Sequence, residues 1–339
     1  MIKVVMSRVG GFCIYTDFLF TITLIIVGLA LGKQLKALER KNIIVESVPL
    51  ARILQWSAKL AIIIFSPVIV IGAVWLVDLN HIKLILLPLL GVLTLVLGGL
   101  FSFLASKVLK LTRPKIGSMF TSGAFSNWGS FGVFICFVFL GEESLAYVAM
   151  FMLFEQFLYY STFFPIAKFL GESKDTVKKW SEIILRLITD PLIVASFSAI
   201  VIGIILNVFK LSRPEFYSTL NEVLVPLLTF ILVVSTGYNM KFRAVKGYVK
   251  ESFVISTIKF IVVPLIVVTI GFLFGLDDLN NGIVINVILI MAVMPPAFMS
   301  LIPPQLYKLD VDLANSSWLL NTVLWILLLP IMYGIVRYI

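Results

Sequence analysis

Two stretches decide the fold: Ser122-Gly123-Ala124-Phe125-Ser126-Asn127-Trp128-Gly129-Ser130-Phe131-Gly132, and Met294-Pro295-Pro296-Ala297 with Pro303-Pro304 after it. Each lies inside a long apolar run, where a lipid-facing helix would carry Leu and Ile. The first clusters small and polar residues. In the second, proline removes a backbone donor and clashes with the preceding turn, so a helix cannot run through unbroken. Backbone freed at membrane depth persists only where protein or a water-filled cavity satisfies it. Interrupted apolar segments at corresponding places in two halves point to a transport site, and freed amides at half-helix N-termini favour an anionic ligand. The other reading is a proline kink beside a Gly/Ser close-packing face.

The composition around these stretches agrees with a bilayer setting. Of 339 residues, 60% are hydrophobic and only 13% charged, and the mean hydropathy is +1.08. Soluble domains are nearer half apolar and about a quarter charged. A water-soluble enzyme, a disordered chain and a disulfide scaffold are excluded, which leaves an all-α polytopic membrane protein. The two cysteines, Cys13 and Cys136, lie in apolar runs, and the single histidine, His81, makes a zinc or haem site an unlikely use of this chain. Lys3 and Arg8 precede a first apolar run long enough to span, so no cleavable leader is expected.

Ten segments are long and apolar enough to cross: Phe12–Gly32, Ser57–Val77, Leu84–Leu109, Ser118–Leu140, Leu145–Leu170, Thr189–Phe209, Val223–Tyr238, Ser252–Leu276, Ile283–Tyr307 and Ala314–Arg337. A barrel does not fit, because the runs are continuous. With ten spans, one side collects 20 of the basic residues and the other 6, with Lys259 inside span eight. The net charge of +9 therefore reflects cytoplasmic loops, not a nucleic-acid partner, and both termini are expected outside the cytoplasm of a cell-membrane protein.

Ten spans divide into five plus five, residues 1–170 and 171–339, and an odd-numbered unit must insert in opposite orientations. Weak similarity supports this division within one integrated membrane domain. Ile82-Lys83 to Pro88 matches Ile258-Lys259 to Pro264 at an offset of 176, and Ala124–Ala146 pairs with Ala292–Ala314 at an offset of 168. The second pairing sets Asn127 on Pro295 and the turn Gly141-Glu142-Glu143 on Leu309-Asp310-Val311.

Glu155 sits in the middle of span five, next to Gln156. A charged carboxylate at that depth is costly, which suits a proton-coupling role, while a nearby cation or Na⁺ would hold it ionised. Its structural alternative is an ion pair with Lys259. Asp17 lies near enough to one end of span one to reach the interface, and Asp190, before Pro191, reads as a helix N-cap.

These residues together resemble the auxin efflux carrier family, the bacterial relatives of the plant PIN auxin exporters. The resemblance runs from about Leu111 to the C-terminus. It rests on Ser126-Asn127-Trp128-Gly129, Gly141-Glu142-Glu143, Glu155-Gln156, Asp190-Pro191-Leu192-Ile193, Pro226-Leu227-Leu228 and Met294-Pro295-Pro296-Ala297. It implies two inverted five-helix repeats with discontinuous helices four and nine crossing at a central site, and non-cytoplasmic termini. Members export or exchange small organic anions, including auxin-like acids, malate and malonate. Related folds couple to Na⁺ or H⁺, the PIN carriers appear in the family as needing neither, and dimers are typical of the plant branch, so a homodimer stays open. Where the family has Gly-Leu-Pro in span four, this chain reads Gly132-Val133-Phe134. Without that proline, span four is expected to be less broken, opened by Gly129 and Gly132 alone.

The expected function is secondary transport of small carboxylates by alternating access around Asn127 and Pro295. Ser126, Asn127, Trp128, Gly129, Met294, Pro295, Pro296 and Ala297 are the expected binding residues. The Asn127 side chain and backbone amides near Gly129 and Ala297 would hold the carboxylate. Glu155, Gln156 and Lys259 are the coupling candidates, with H⁺ or Na⁺ as the open coupling ion and no other cofactor. Spans four and nine contain no Lys or Arg, which favours a monoanion, or an amphipathic acid stacked on Trp128. The alternatives are a membrane sensor that binds without transporting, for which the missing proline leaves room, an intramembrane hydrolase and a channel. No His-Glu-x-x-His, P-loop or repeated pore motif supports an enzyme, pump or channel.

Overall fold

The computed structural model describes residues 12–41, 49–76, 81–171, 189, 191–239 and 247–338, and the side chains of 12–18 and 192–193 lie outside that description. Asp190 and the side chains of Cys13 and Asp17 are therefore outside the described residues, as are Lys3, Arg8 and most of the Gly171–Ile188 connector.

Among the described residues every regular element is helical, and the one β-type pairing is an isolated bridge between Ser126 and Pro296. Bilayer-spanning backbone must satisfy its own polar groups, so long apolar runs become helices. Six of them are continuous and apolar enough to cross a membrane. These are α1 (Phe12–Arg40), α2 (Leu50–Leu76), α3 (Ile82–Val108), α9 (Phe216–Asn239), α10 (Val249–Leu273) and α13 (Val311–Tyr338). They coincide with predicted spans one, two, three, seven, eight and ten. At 27 residues, α2 is about 40 Å long at 1.5 Å per residue, more than the hydrocarbon core requires. Ile64, Leu265 and Leu327 on these helices are exposed, as expected where lipid is the solvent. The chain is a multi-pass membrane protein.

The other predicted spans are shorter or divided. Span six is α8 (Pro191–Val208). Span four is α4 (Arg113–Ala124) and α5 (Trp128–Leu140), separated by Phe125–Asn127. Span five is α6 (Ser144–Phe151) and α7 (155–170), separated by a turn at 152–154. Span nine is α11 (Ile283–Ala292) and α12 (298–306), which opens with a tight turn over Phe298–Leu301. Gly141 ends α5 at φ +84°, a backbone that glycine alone adopts freely, so the Gly-Glu-Glu turn needs its glycine.

Three helical turns are widened to i→i+5 pairing: Trp128–Gly132, Tyr159–Phe163 and Ile258–Val262. The last two run directly into Phe164-Pro165 and Val263-Pro264. A proline lacks the amide its turn needs, and a widened turn accommodates the loss. The two side chains so displaced include Tyr159 and Lys259.

Two helix groups result. α1, α2, α8 and α9 pack on one another, and α3 to α7 pack with α10 to α13. Each group draws helices from both halves of the sequence. Within the groups, glycines allow backbones to touch. A Cβ on Gly98 of α3 would lie 2.3 Å from the Gly123 carbonyl oxygen, and one on Gly237 of α9 would lie 2.3 Å from the Leu29 carbonyl oxygen of α1. Neither neighbour is a flexible side chain, so neither can give way. Gly98→Ala should lower thermal stability in detergent by roughly 1–3 kcal/mol, whereas Gly334→Ala, with nothing within 4 Å, should leave it unchanged or slightly higher.

Candidate functional site

The interruption in α4–α5 meets the interruption in α11–α12. Proline at 295 and 296 forbids a helical turn and holds the preceding residues extended. Opposite them, Phe125 is extended at φ −95°, ψ 129°. The two segments cross antiparallel. The Asn127 amide donates to the Pro295 carbonyl at 2.9 Å, and the Ala297 amide donates to the Phe125 carbonyl at 3.2 Å. Pro295 has no amide to return the first bond and the Phe125 amide goes to the Thr121 carbonyl, which limits the pairing to these two bonds.

Span four is thus fully interrupted, contrary to the expectation drawn from its missing proline. The break falls at Phe125–Asn127, before Gly129 and Gly132. Pairing with the proline segment supplies the partners that a helix would otherwise provide. Gly132 serves close packing instead, since a Cβ there would lie 2.7 Å from the Met291 sulfur.

The carbonyls left at the two breaks are capped from elsewhere. Met291, at the end of α11, accepts from the Trp128 indole nitrogen at 2.7 Å. Gly123, at the end of α4, accepts from the Lys259 ammonium at 3.3 Å. The same ammonium donates to the Phe125 carbonyl at 3.3 Å and to Ser126 Oγ at 2.7 Å. Ser126 is held on its other side by Tyr159, whose hydroxyl accepts from the Ser126 amide at 3.1 Å and lies 2.9 Å from Glu155 Oε1. Glu155 is 7% exposed and Lys259 3%. They do not form the ion pair that was the structural alternative for Glu155. They lie on opposite sides of the crossing and are linked through Tyr159 and Ser126.

Beside the crossing is a cavity of about 450 Å³ between the two helix groups. Of the residues singled out in the sequence, Ser126, Asn127, Gly129, Glu155, Gln156 and Ala297 line it. Asn127 Oδ1 accepts from Ser130 Oγ, which turns the amide nitrogen into the donor available to the cavity. The first amides of a helix have no intrahelical acceptor, and at the start of α5 these include Gly129 and Ser130. A Cβ on Gly129 would meet nothing within 4 Å. Gln156 Oε1 is buried without a hydrogen-bond partner.

Five expected site residues stand elsewhere. Trp128 is 0% exposed, packs edge-on against Phe151 at 5.1 Å and spends its N–H on Met291, so it offers no stacking face to a ligand. Met294, Pro295, Pro296 and Lys259 do not line the cavity. Ala297 does, but its amide is consumed by Phe125, and the helix-start donors on that side are those of Phe298 and Met299. The sequence reading missed Tyr159 and Ser130, although Tyr159 stands four residues from Glu155, on the same helical face. It also missed Gln55, Lys59 and Ser66 of α2 and Ser196 of α8, which form the opposite wall. Only the packing of α2 against α6 and of α8 against α7 reveals that wall.

The end of the molecule away from Gln55 and Lys59 is tied shut. Arg213, before α9, donates to both oxygens of Glu142 in the turn after α5, the second contact at 3.2 Å. Asn221 adds a bond to Glu142 at 2.8 Å, and Arg213 also reaches the Gly72 carbonyl at 3.2 Å and Ser218 Oγ at 2.7 Å. This latch joins the two helix groups. It lines a separate cavity of about 800 Å³, which shares no lining residue with the first. Asp310, the residue paired with Glu142 by the offset of 168, behaves differently. It caps α13 through the Leu313 amide at 2.8 Å and accepts from the Tyr248 hydroxyl at 2.8 Å. Burial and this hydrogen bond push the Tyr248 hydroxyl up to about 12, so it remains a donor. Those partners all lie within one helix group.

Helices long enough to cross a bilayer, two backbones unwound against each other in the interior and a cavity beside them define a membrane transport protein. The chain belongs to the membrane transport protein family, the auxin efflux carriers, whose model matches residues 13–333. It is 27% identical over 250 residues to an uncharacterized transporter of Methanocaldococcus jannaschii, covering 72% of this chain and 77% of that protein. It is 22% identical over 269 residues to an uncharacterized transporter of Methanothermobacter thermautotrophicus, covering 78% and 83%.

The latch lies outside the membrane-spanning helices and titrates. Burial works to raise the Glu142 carboxyl, but the Arg213 and Asn221 hydrogen bonds and the Arg213 charge outweigh it and hold the group below its ordinary 4.5. A depressed folded value stabilises the fold fully above the unfolded value, and that contribution disappears as pH falls through the folded one. Glu142→Gln should therefore cost about 2 kcal/mol at pH 7. In thermal unfolding across a pH series, its deficit against the wild type should shrink progressively as pH falls below the ordinary 4.5.

Proposed function

We propose that this protein is a secondary transporter of small organic anions, in particular carboxylates, working by alternating access. The observation that carries the reading is the crossing of Phe125–Asn127 with Pro295–Ala297 at the wall of a cavity between two helix groups. The helix starts after the crossing direct unpaired amides and positive dipole ends to one place, which favours a carboxylate. Asn127 donates its side-chain amide there. Lys59, in the cavity wall, adds a positive charge on the side of α2, and one such charge suits a monoanion better than a dianion.

The architecture belonging to this reading is ten crossings in two inverted five-helix repeats, 1–170 and 171–339, with both termini non-cytoplasmic and the chain in the cell membrane. Its support is that Asn127 and Pro295, equivalent by the offset of 168, face each other across the bridge. By the same charge asymmetry, Gln55 and Lys59 mark the cytoplasmic end of the cavity. The conformation is then inward-facing, with the Glu142–Arg213 latch closing the outer end. Rocking of one helix group against the other would break that latch and expose the site outside. The binding-only alternative rested on the missing span-four proline, and a break at Phe125–Asn127 that forms without that proline favours the transport reading.

Glu155 and Gln156 lie in the cavity wall, where Glu155 is placed to carry a coupling proton and Gln156 Oε1 to accept a donor from the bound molecule. The protein itself supplies no other cofactor in this reading, and a homodimer is compatible with it.

The test is counterflow in proteoliposomes with labelled mono- and dicarboxylates, with and without Na⁺ and a pH gradient. One acid should accumulate, and Asn127→Ala should reduce its accumulation at least about tenfold, the effect of losing one charge-assisted hydrogen bond of about 1.4 kcal/mol or more. Unchanged counterflow in Asn127→Ala would sink the site assignment. Glu155→Gln should retain exchange but lose any response to a pH gradient, and a response equal to that of the wild type would remove Glu155 from the coupling step.

A further inference from the structure

Lys259 is buried in the widened turn of α10, and three oxygens surround its ammonium: Ser126 Oγ at 2.7 Å and the Gly123 and Phe125 carbonyls at 3.3 Å. All three are neutral. Among the described residues no carboxylate lies in ion-pair contact with it, and Glu155 is separated from it by Tyr159 and Ser126. A buried charge ordinarily needs an opposite charge or a metal-like coordination shell. Here the shell is the second kind, made of a hydroxyl and carbonyl oxygens such as hold hard monovalent cations.

The origin of the shell is the crossing itself. Interrupting span four at Phe125 leaves the last carbonyls of α4 without intrahelical donors, and the C-terminal end of a helix carries negative partial charge. The equivalent carbonyl at the other break, Met291, is satisfied by the neutral indole of Trp128. The two breaks therefore differ in what caps them, a lysine side chain at one and a neutral indole at the other. The proline at 264 accounts for its placement: the turn widened ahead of it carries Lys259 toward the crossing.

We propose that the Lys259 ammonium occupies a monovalent-cation site of the crossing as a tethered cation, so that the protein stabilises its interrupted helix without binding Na⁺ or K⁺ there. This deepens the transport reading and rests on it only for its consequence: an anion bound at the start of α5 would lie near the tethered cation, and no Na⁺ would be needed at this position for its binding. The occupancy itself is a statement about folding and is tested without substrate.

Thermal unfolding of the purified chain in detergent is compared in sodium, potassium, ethylammonium and N-methylglucammonium chlorides at equal ionic strength. The wild type should unfold at the same temperature in all four. Lys259→Ala empties the site and should be destabilised in N-methylglucammonium, with most of the loss recovered, saturably, by ethylammonium, sodium or potassium. Lys259→Met fills the space of the stem and removes the charge, so it should be destabilised and recovered by none of them. A sodium-dependent wild type overturns the proposal, as does a Lys259→Met variant as stable as the wild type. Equal loss in every salt for Lys259→Ala, including failure to fold in all of them, also overturns it. Because no transported acid enters the assay, failure here leaves the counterflow result standing, and failure of counterflow leaves this one standing.

Discussion

The structure depends on two backbone segments crossing where neither can be a helix. In water, Phe125–Asn127 and Pro295–Ala297 would be ordinary loops. In an apolar interior each unpaired amide or carbonyl costs several kcal/mol, so every group freed by the break needs a named partner. Two bonds between the segments supply part of this. The rest comes from side chains on three other helical segments: Trp128 on the Met291 carbonyl, Tyr159 on the Ser126 amide and Lys259 on the Gly123 carbonyl. The positions of α5, α7 and α10 follow from that need. Widened turns carry Trp128, Tyr159 and Lys259 to it, and the glycine contact of Gly98 with Gly123 lets α3 lie directly against the interrupted helix.

The same crossing underlies the proposed binding chemistry. A helix that stops and restarts leaves acceptors at one side of the gap and donors at the other. The acceptors after α4 are covered by Lys259. The donors before α5 face the cavity with Asn127. A lysine behind the crossing and orphan amides in front of it are the arrangement on which the proposed anion site rests. The two turns that follow the crossing helices then divide the labour. Glu142 bridges the two helix groups through Arg213, whereas Asp310 is satisfied within one group by Tyr248 and the start of α13. A relative movement of the groups would have to separate charged partners at the first turn only.

Much of the helical plan was legible along the chain, because a bilayer leaves few options for an apolar run of sufficient length. The long helices α1, α2, α3, α9, α10 and α13 follow from that constraint alone, and the proline pair at 295 and 296 marked one break unaided. The other break was read too weakly. Gly132-Val133-Phe134 lacks a proline, and local propensity by itself argues for a more continuous helix there. Pairing with a segment 170 or so residues away decided otherwise, through bonds that no local pattern contains. Glu155, Gln156, Asn127 and Gly129 were recognisable because polar or small residues at membrane depth are costly or wasteful unless used. Trp128 was misread for the same reason that made it visible: a large amphipathic ring suggests a ligand platform until its N–H is found on Met291.

The sequence by itself determined that this chain crosses a membrane many times and that span nine must break, since hydrophobic length and proline geometry are local properties. Only the tertiary structure decided which side of the crossing each polar group occupies. It placed Lys259 behind the crossing and Glu155 beside the cavity, set Lys59 in the far wall, and joined Glu142 to Arg213 across the two helix groups. Those outcomes depend on how helices distant in sequence rotate and pack against one another, and rotation about a helix axis is set by neighbours that the chain meets only after it folds.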